Sequence, residues 1–103
     1  TDKNEIAKIL KLYLSKYFDI NHDKQTWFDN IKELAEKTGY AREVKMYKQE
    51  PEKWPGHVGD ISTVIRVALT GRTNTPDMYE IIQTLGEERV KQRIEMAIKK
   101  MEK

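Results

Sequence analysis

The sequence contains no cysteine. That excludes disulfides and thiolate metal sites and fits a reducing cytosol, so a cytoplasmic location is the expectation. No apolar run approaches the roughly 18–20 residues that cross a bilayer, and no signal-peptide pattern opens the chain, so no membrane association is expected. Histidine is scarce, with two in 103 residues. His22 and His57 have no second histidine at ligand spacing, and no metal site is expected. An excess of one charge is missing as well: 19 Lys and Arg stand against 17 Asp and Glu, for a net charge of +2. The signs are evenly spread, with ten basic and nine acidic residues in positions 1–50 and nine and eight in 51–103. Composition therefore offers no argument for nucleic-acid binding, and any basic face has to be assembled by folding. The chain opens on Thr1 rather than methionine, which predicts a fragment of a longer protein.

Apolar residues make up 38% of the chain and charged residues 35%. The apolar positions recur at helical spacing throughout, which predicts an all-α bundle of five or six helices rather than a disordered chain. A length of 103 residues allows one domain, 1–103, with a modest core. The first helix is expected over Lys3 to Phe18, with Asp2 and Glu5 as an N-terminal capping pair. The second is expected over Lys24 to Thr38, with Trp27, Phe28, Ile31, Leu34 and Ala35 inward and Gly39 as its stop. Residues 40–49 allow a short helix with Val44 and Tyr47 inward. Pro51, Pro55, Gly56 and Gly59 make 50–59 a loop. A third major helix fits Asp60 to Thr70, with Ile61, Val64, Ile65 and Ala68 on one side. Beyond a turn at Gly71 to Asn74, Thr75 is an N-cap and Pro76 a first helical residue. That helix carries Met78, Ile81, Ile82 and Leu85. After Gly86, Thr84 and Glu87 predict a capping box for a last helix to Met101, with Val90, Ile94, Ala97 and Met101 inward and Lys99, Lys100 and Lys103 at the negative end of its dipole.

Two runs are more specific than this periodicity. Val64 to Ile94 reads VIRVALTGRTNTPDMYEIIQTLGEERVKQRI, and it resembles, without gaps, the pattern PLRxALTGxxxxPxLxEIxxxLGKERxxxRL near the end of bacterial-type glutamyl-tRNA synthetases. Trp27 to Ala41, WFDNIKELAEKTGYA, resembles the WFxxIKxLAEExGFA run that precedes it in the same family. Val64 stands for the family's proline, Met78 for its leucine and Glu87 for its lysine. The last change removes a positive charge that a phosphate contact would need. The resemblance implies the C-terminal helical anticodon-binding domain of a class I synthetase. It implies the anticodon loop of the glutamate tRNA as partner, a monomer, and ligation of glutamate by an upstream domain. ATP and Mg belong to that upstream domain, and no cofactor or catalytic residue is expected in this chain. Whether the glutamine tRNA is also accepted is left open by the sequence.

The same resemblance singles out site residues. Arg66 matches an arginine that reaches the anticodon bases, and a guanidinium can place two parallel hydrogen bonds on a base edge or phosphate. It also sits between Ile65 and Val67, where a free charge is costly to bury. Tyr79 and Met78 match base-contacting positions, since single-stranded RNA is read by splaying bases onto apolar and aromatic faces. Thr75, through its hydroxyl or the free N–H groups of a helix start, and Arg72 and Asn74 on the turn before it complete the set. Lys48, Lys53 and Trp54 are a further basic-aromatic group beside the long loop.

Two other motifs lead nowhere. His57-Val-Gly-Asp60 has the look of a class I nucleotide signature, but no strand precedes it. Gly71-Arg-Thr lacks the lysine and glycine spacing of a phosphate loop. The reading from a different class is a helical protein-interaction module, which would use the same amphipathic stripes to dock a partner.

Overall fold

The computed structural model describes residues 3–73 and 77–102. Asp2, Asn74, Thr75, Pro76 and Lys103, on which expected caps and site positions fall, lie outside the described residues. The order is α1 (Lys3–Leu12), a π-helical turn (Tyr13–Tyr17), α2 (Lys24–Lys37), α3 (Val44–Gln49), α4 (Val58–Thr70), α5 (Met78–Leu85) and α6 (Glu87–Met101). The expected all-α architecture with six helices is what forms. The one pairing of extended backbone among the described residues is an isolated parallel bridge between Ala41 and His57.

The first expected helix is two structures in series. After Leu12 the coil widens, and the Phe18 N–H reaches back five residues to the Tyr13 carbonyl at 2.8 Å. The wider turn keeps Tyr13 and Tyr17 both buried. Tyr13 is fully enclosed, and its hydroxyl accepts a hydrogen bond from Trp27 Nε1 at 3.1 Å. Burial raises the pKa of that phenol to about 12, opposed in part by the Trp27 bond.

α2 starts on Asp23, whose carboxylate accepts the Thr26 N–H at 2.8 Å. That bond favours the charged form and lowers the carboxyl pKa. Ile31, Leu34 and Ala35 turn inward as expected. Phe28 does not: it is 45% exposed, with Lys32 Nζ 4.9 Å from its ring centre. Phe28 shares the side of α2 that carries Ile31 and Ala35, but α2 buries no residue before Ile31, so its first two turns lie outside the core. In α3 the expected inward Val44 is exposed and no residue is buried. Tyr47 instead sets its ring edge against the His57 ring at 5.4 Å.

α4 begins at Val58, two residues ahead of expectation. His57 is its cap: Nδ1 accepts the Gly59 N–H at 2.9 Å, while Asp60 Oδ2 accepts the His57 N–H at 2.8 Å. Gly59 is therefore helical rather than loop. A Cβ there would lie 2.5 Å from the His57 ring, so the glycine makes room for the cap. The opposite correction applies to α6, whose start at Gly86 has no side-chain cap. The expected Thr84–Glu87 box does not form. The α5 C-terminus and α6 N-terminus share Gly86, so Thr84 is still inside a helix.

The core is made by Ile9, Leu10, Tyr13, Ile31, Leu34, Ile61, Ile65, Ile82, Val90 and Ile94, each at 0–1% exposure. α1 packs on α6 and α4, α2 packs on α4, and α4 and α5 pack on α6. α6 is rotated from its expected setting. Ile98 takes the core position, and Ala97 and Met101 are only partly covered.

Candidate nucleic-acid interface

The resemblance places recognition where α4 ends and α5 begins, and the described residues there form a dense set of ties. Gly71 adopts φ 74, the left-handed conformation that closes α4, with its N–H on the Val67 carbonyl. Arg93 of α6 donates from Nη1 to the Leu69 carbonyl at 2.7 Å, supplying positive charge at the negative helix end. The Thr70 hydroxyl donates to the Arg66 carbonyl at 2.8 Å and accepts the Arg72 N–H at 3.1 Å. Arg72 is left on the surface.

α5 starts two residues later than a Thr75 cap would put it. Asp77 is its cap, and Oδ1 accepts the Tyr79 N–H at 2.9 Å. The same carboxylate is ion-paired with Lys24 at the start of α2. Lys24 holds the Asp77 carboxyl below its ordinary value, with the Tyr79 N–H adding to the effect, and Asp77 in turn raises the Lys24 ammonium. One aspartate thus caps α5 and fastens it to α2. The signal for it was the helix-starting aspartate directly before an apolar run, which the Thr-Pro pair upstream obscured.

Tyr79 is half-buried. Its hydroxyl donates to the His22 carbonyl at 2.8 Å, and its ring meets Trp27 at 6.2 Å and 63°. Gln83 Nε2 adds a bond to the Ile20 carbonyl at 2.9 Å. Met78 is 2% exposed and sits in the core, which leaves its side chain no surface for a direct base contact. It supports the site from beneath, because its face is shared with Ile82.

Arg66 has the opposite character. It is half-buried on α4, and its Nε is shielded from solvent with no hydrogen-bond partner among the described residues. An N–H desolvated in this way costs about 1–3 kcal/mol. No hydrogen bond, ion pair or ring contact joins Arg66 to Tyr79 among the described residues. The turn sets them on successive helices without coupling them. Lys53 lies over the Trp54 ring at 5.2 Å, with Trp54 half-buried and Lys48 exposed. That pair belongs to the α3–α4 loop rather than to the α4–α5 turn.

His57-Val-Gly-Asp60 is spent on capping α4, and no group of three or more potential metal-ligating His, Cys, Asp or Glu side chains exists among the described residues. These residues do not fit a nucleotide or a metal ion. No described helix is long and apolar enough to cross a membrane.

A family model described as "Anticodon binding domain" matches residues 55–98, the stretch that holds the α4–α5 junction and most of α6. The chain belongs to that family, in the form found in glutamate–tRNA ligases. It is 51% identical over 94 residues to the glutamate–tRNA ligase of Acetivibrio thermocellus, covering 91% of this chain and 17% of that protein. It is 47% identical over 90 residues to that of Clostridium perfringens strain 13, covering 87% and 16%. To that of Sorangium cellulosum it is 51% identical over 77 residues, covering 75% and 14%. The chain thus spans about one sixth of the length of these relatives. No solved structure matches it significantly.

Proposed function

We propose that the chain binds the anticodon loop of the glutamate tRNA as the recognition domain of a cytoplasmic, monomeric glutamate–tRNA ligase. The half-buried Arg66 guanidinium, which has no hydrogen-bond or ion-pair partner among the described residues, carries this reading. Around it, polar groups at the α4–α5 junction are satisfied within the protein: Asp77 by Lys24 and Tyr79, the Tyr79 hydroxyl by His22, the α4 carboxyl end by Arg93. Arg66 has no acceptor among the described residues, and an RNA base edge or phosphate supplies acceptors to its terminal N–H groups. In this reading Tyr79 offers its ring face rather than its hydroxyl, and Arg72, Asn74 and Thr75 are further candidate contacts. ATP, Mg and the ligation of glutamate belong to the parts of the ligase beyond this sixth, and the domain is 1–103. Acceptance of the glutamine tRNA turns on groups outside this set.

The test is a titration of the chain with a glutamate-tRNA anticodon stem-loop at low salt. Arg66→Ala should weaken binding by about tenfold or more, the worth of a lost guanidinium contact at 1–3 kcal/mol, with helicity unchanged. Wild-type affinity should fall steeply with added salt as phosphate contacts release counterions. Equal affinities of wild type and variant would remove Arg66 from the interface.

A further inference from the structure

α4 and α6 each carry two stripes, and the core uses one. On α6, Val90, Ile94 and Ile98 are buried, while Arg93, Met96, Ala97, Lys100 and Met101 follow at i, i+3, i+4, i+7 and i+8 on a second face. On α4, Ile61, Ile65 and Leu69 are buried, and Val64, Val67 and Ala68 form the second face. These second faces flank a groove of about 480 Å³ floored by Ile6 and Leu10 of α1. Val67 is 40% and Met96 60% exposed, two of the five large hydrophobic side chains left open. The groove lies on the side of α4 away from Arg66, because Val64, Val67 and Ala68 turn opposite to it on the helix.

We propose that this groove is a docking site for an acidic amphipathic α-helix. Two helices bordering an apolar floor accept a third helix as the knob between them. Residues 93–101 run about 12 Å, so two turns of a partner fill it. Charge selects the partner's chemistry. The lining holds two cations, Arg93 and Lys100, and no acidic residue. Arg93 uses one N–H on the Leu69 carbonyl and keeps other donors for a ligand. The two cations are seven residues apart, about 10 Å along α6. They call for two carboxylates seven residues apart on the partner, on either side of its apolar contacts. A second copy of this chain is disfavoured, because a two-fold contact would set Arg93 and Lys100 of both copies in one interface. Nucleic acid is disfavoured by the apolar floor, which offers phosphates no donors. The docking site is independent of Arg66 and of the RNA reading.

The experiment uses the 103-residue chain and a fluorescein-labelled alanine-based helical peptide of about 18 residues, long enough to hold helix. Leucines occupy two successive turns of one face, and glutamates seven residues apart flank them; a twin peptide carries lysines at those two positions. The glutamate peptide should bind saturably, and the lysine twin about tenfold more weakly. Bound peptide should slow peroxide oxidation of Met96 and Met101 but not of Met46, which lies on α3. Met96→Glu and Val67→Glu, both at exposed positions, should weaken binding about tenfold while anticodon stem-loop affinity stays unchanged. Lys100→Glu should shift the preference toward the lysine twin, and Arg66→Ala should leave peptide binding intact. Absence of saturable binding, equal binding of the two peptides, or wild-type affinity in Met96→Glu overturns the proposal. So does a dimer in sedimentation that Met96→Glu dissolves, which assigns the groove to a second copy. Protection of Met96 by the stem-loop would assign it to RNA.

Discussion

Arg66 and Tyr79 are both half-buried, on successive helices, and they meet opposite chemistry. Tyr79 has its hydroxyl on the His22 carbonyl and its ring against Trp27. Arg66 has a shielded Nε with no acceptor for it among the described residues. Residue type alone does not separate them, since arginine and tyrosine both suit RNA. The distinction gives a prediction at this scale. Tyr79→Phe should lower unfolding free energy by about 0.5–1.5 kcal/mol, the net worth of one hydrogen bond, and rather more if the His22 carbonyl is left dry. Stem-loop affinity should survive that change, because the ring face remains. Tyr79→Ala should lose about tenfold in affinity, as a stacked base is worth roughly 1–3 kcal/mol. Denaturant titration and fluorescence anisotropy on the two variants measure these outcomes. Loss of affinity in the phenylalanine variant would move the contact to the hydroxyl.

Helix starts show how side chains a few residues apart decide an element. Asp23 and Asp77 are capping aspartates followed by apolar stripes, and that pattern is visible in the sequence. His57 is a less usual cap, and it works only because Gly59 leaves space for the imidazole. Glycine at a helix's second residue otherwise costs about 1 kcal/mol relative to alanine. Gly59→Ala should therefore destabilise the native chain, by forcing the ring out and breaking the cap, a loss of about 0.5–2 kcal/mol. In a His57→Ala background the same change should stabilise, because only helix propensity remains. Thermal unfolding of the four members of this double-mutant cycle checks the sign reversal. Same-sign effects in both backgrounds would show that the ring does not depend on the glycine.

For the whole molecule, titration links these local devices to stability. The Asp23 and Asp77 carboxyls have folded values below the ordinary 3.8, held there by the Thr26 N–H and by Lys24 respectively. A lowered folded pKa gives stability that is full above the unfolded value and is lost as pH falls through the folded one. Unfolding temperature should therefore decline as pH drops through and below 3.8, with α2 and α5 fraying first. Asp23→Asn with Asp77→Asn should flatten that decline. Tyr13 works at the other end, with a phenol raised from 10.0 to about 12 by burial. Its contribution is full below pH 10 and is lost as pH rises through about 12, so unfolding temperature should decline over that range. Absorbance at the tyrosinate band, followed with circular dichroism across both ranges, reads both effects. Ionisation of Tyr13 near pH 10 with helicity retained would contradict the buried setting.

The α2, α4, α5 and α6 segments, the end of α4 before a turn at Gly71 and the family were all legible in the sequence, because helix periodicity, caps and motif spacing are local properties. Even the misplaced starts, Asp60 for Val58 and Thr75 in place of Asp77, missed by two residues. What the sequence did not decide is which stripe of each helix the fold covers. Phe28 and Met96 read as apolar residues, but packing left them in solvent, while Ile98 displaced Ala97 and Met101 from the core. That choice depends on which helices are set against one another, and α6 lies against α1, α4 and α5 in a way no local spacing encodes. The same packing shields the Arg66 Nε from solvent without giving it a partner among the described residues. The motif placed an arginine there, and tertiary structure alone removed its water.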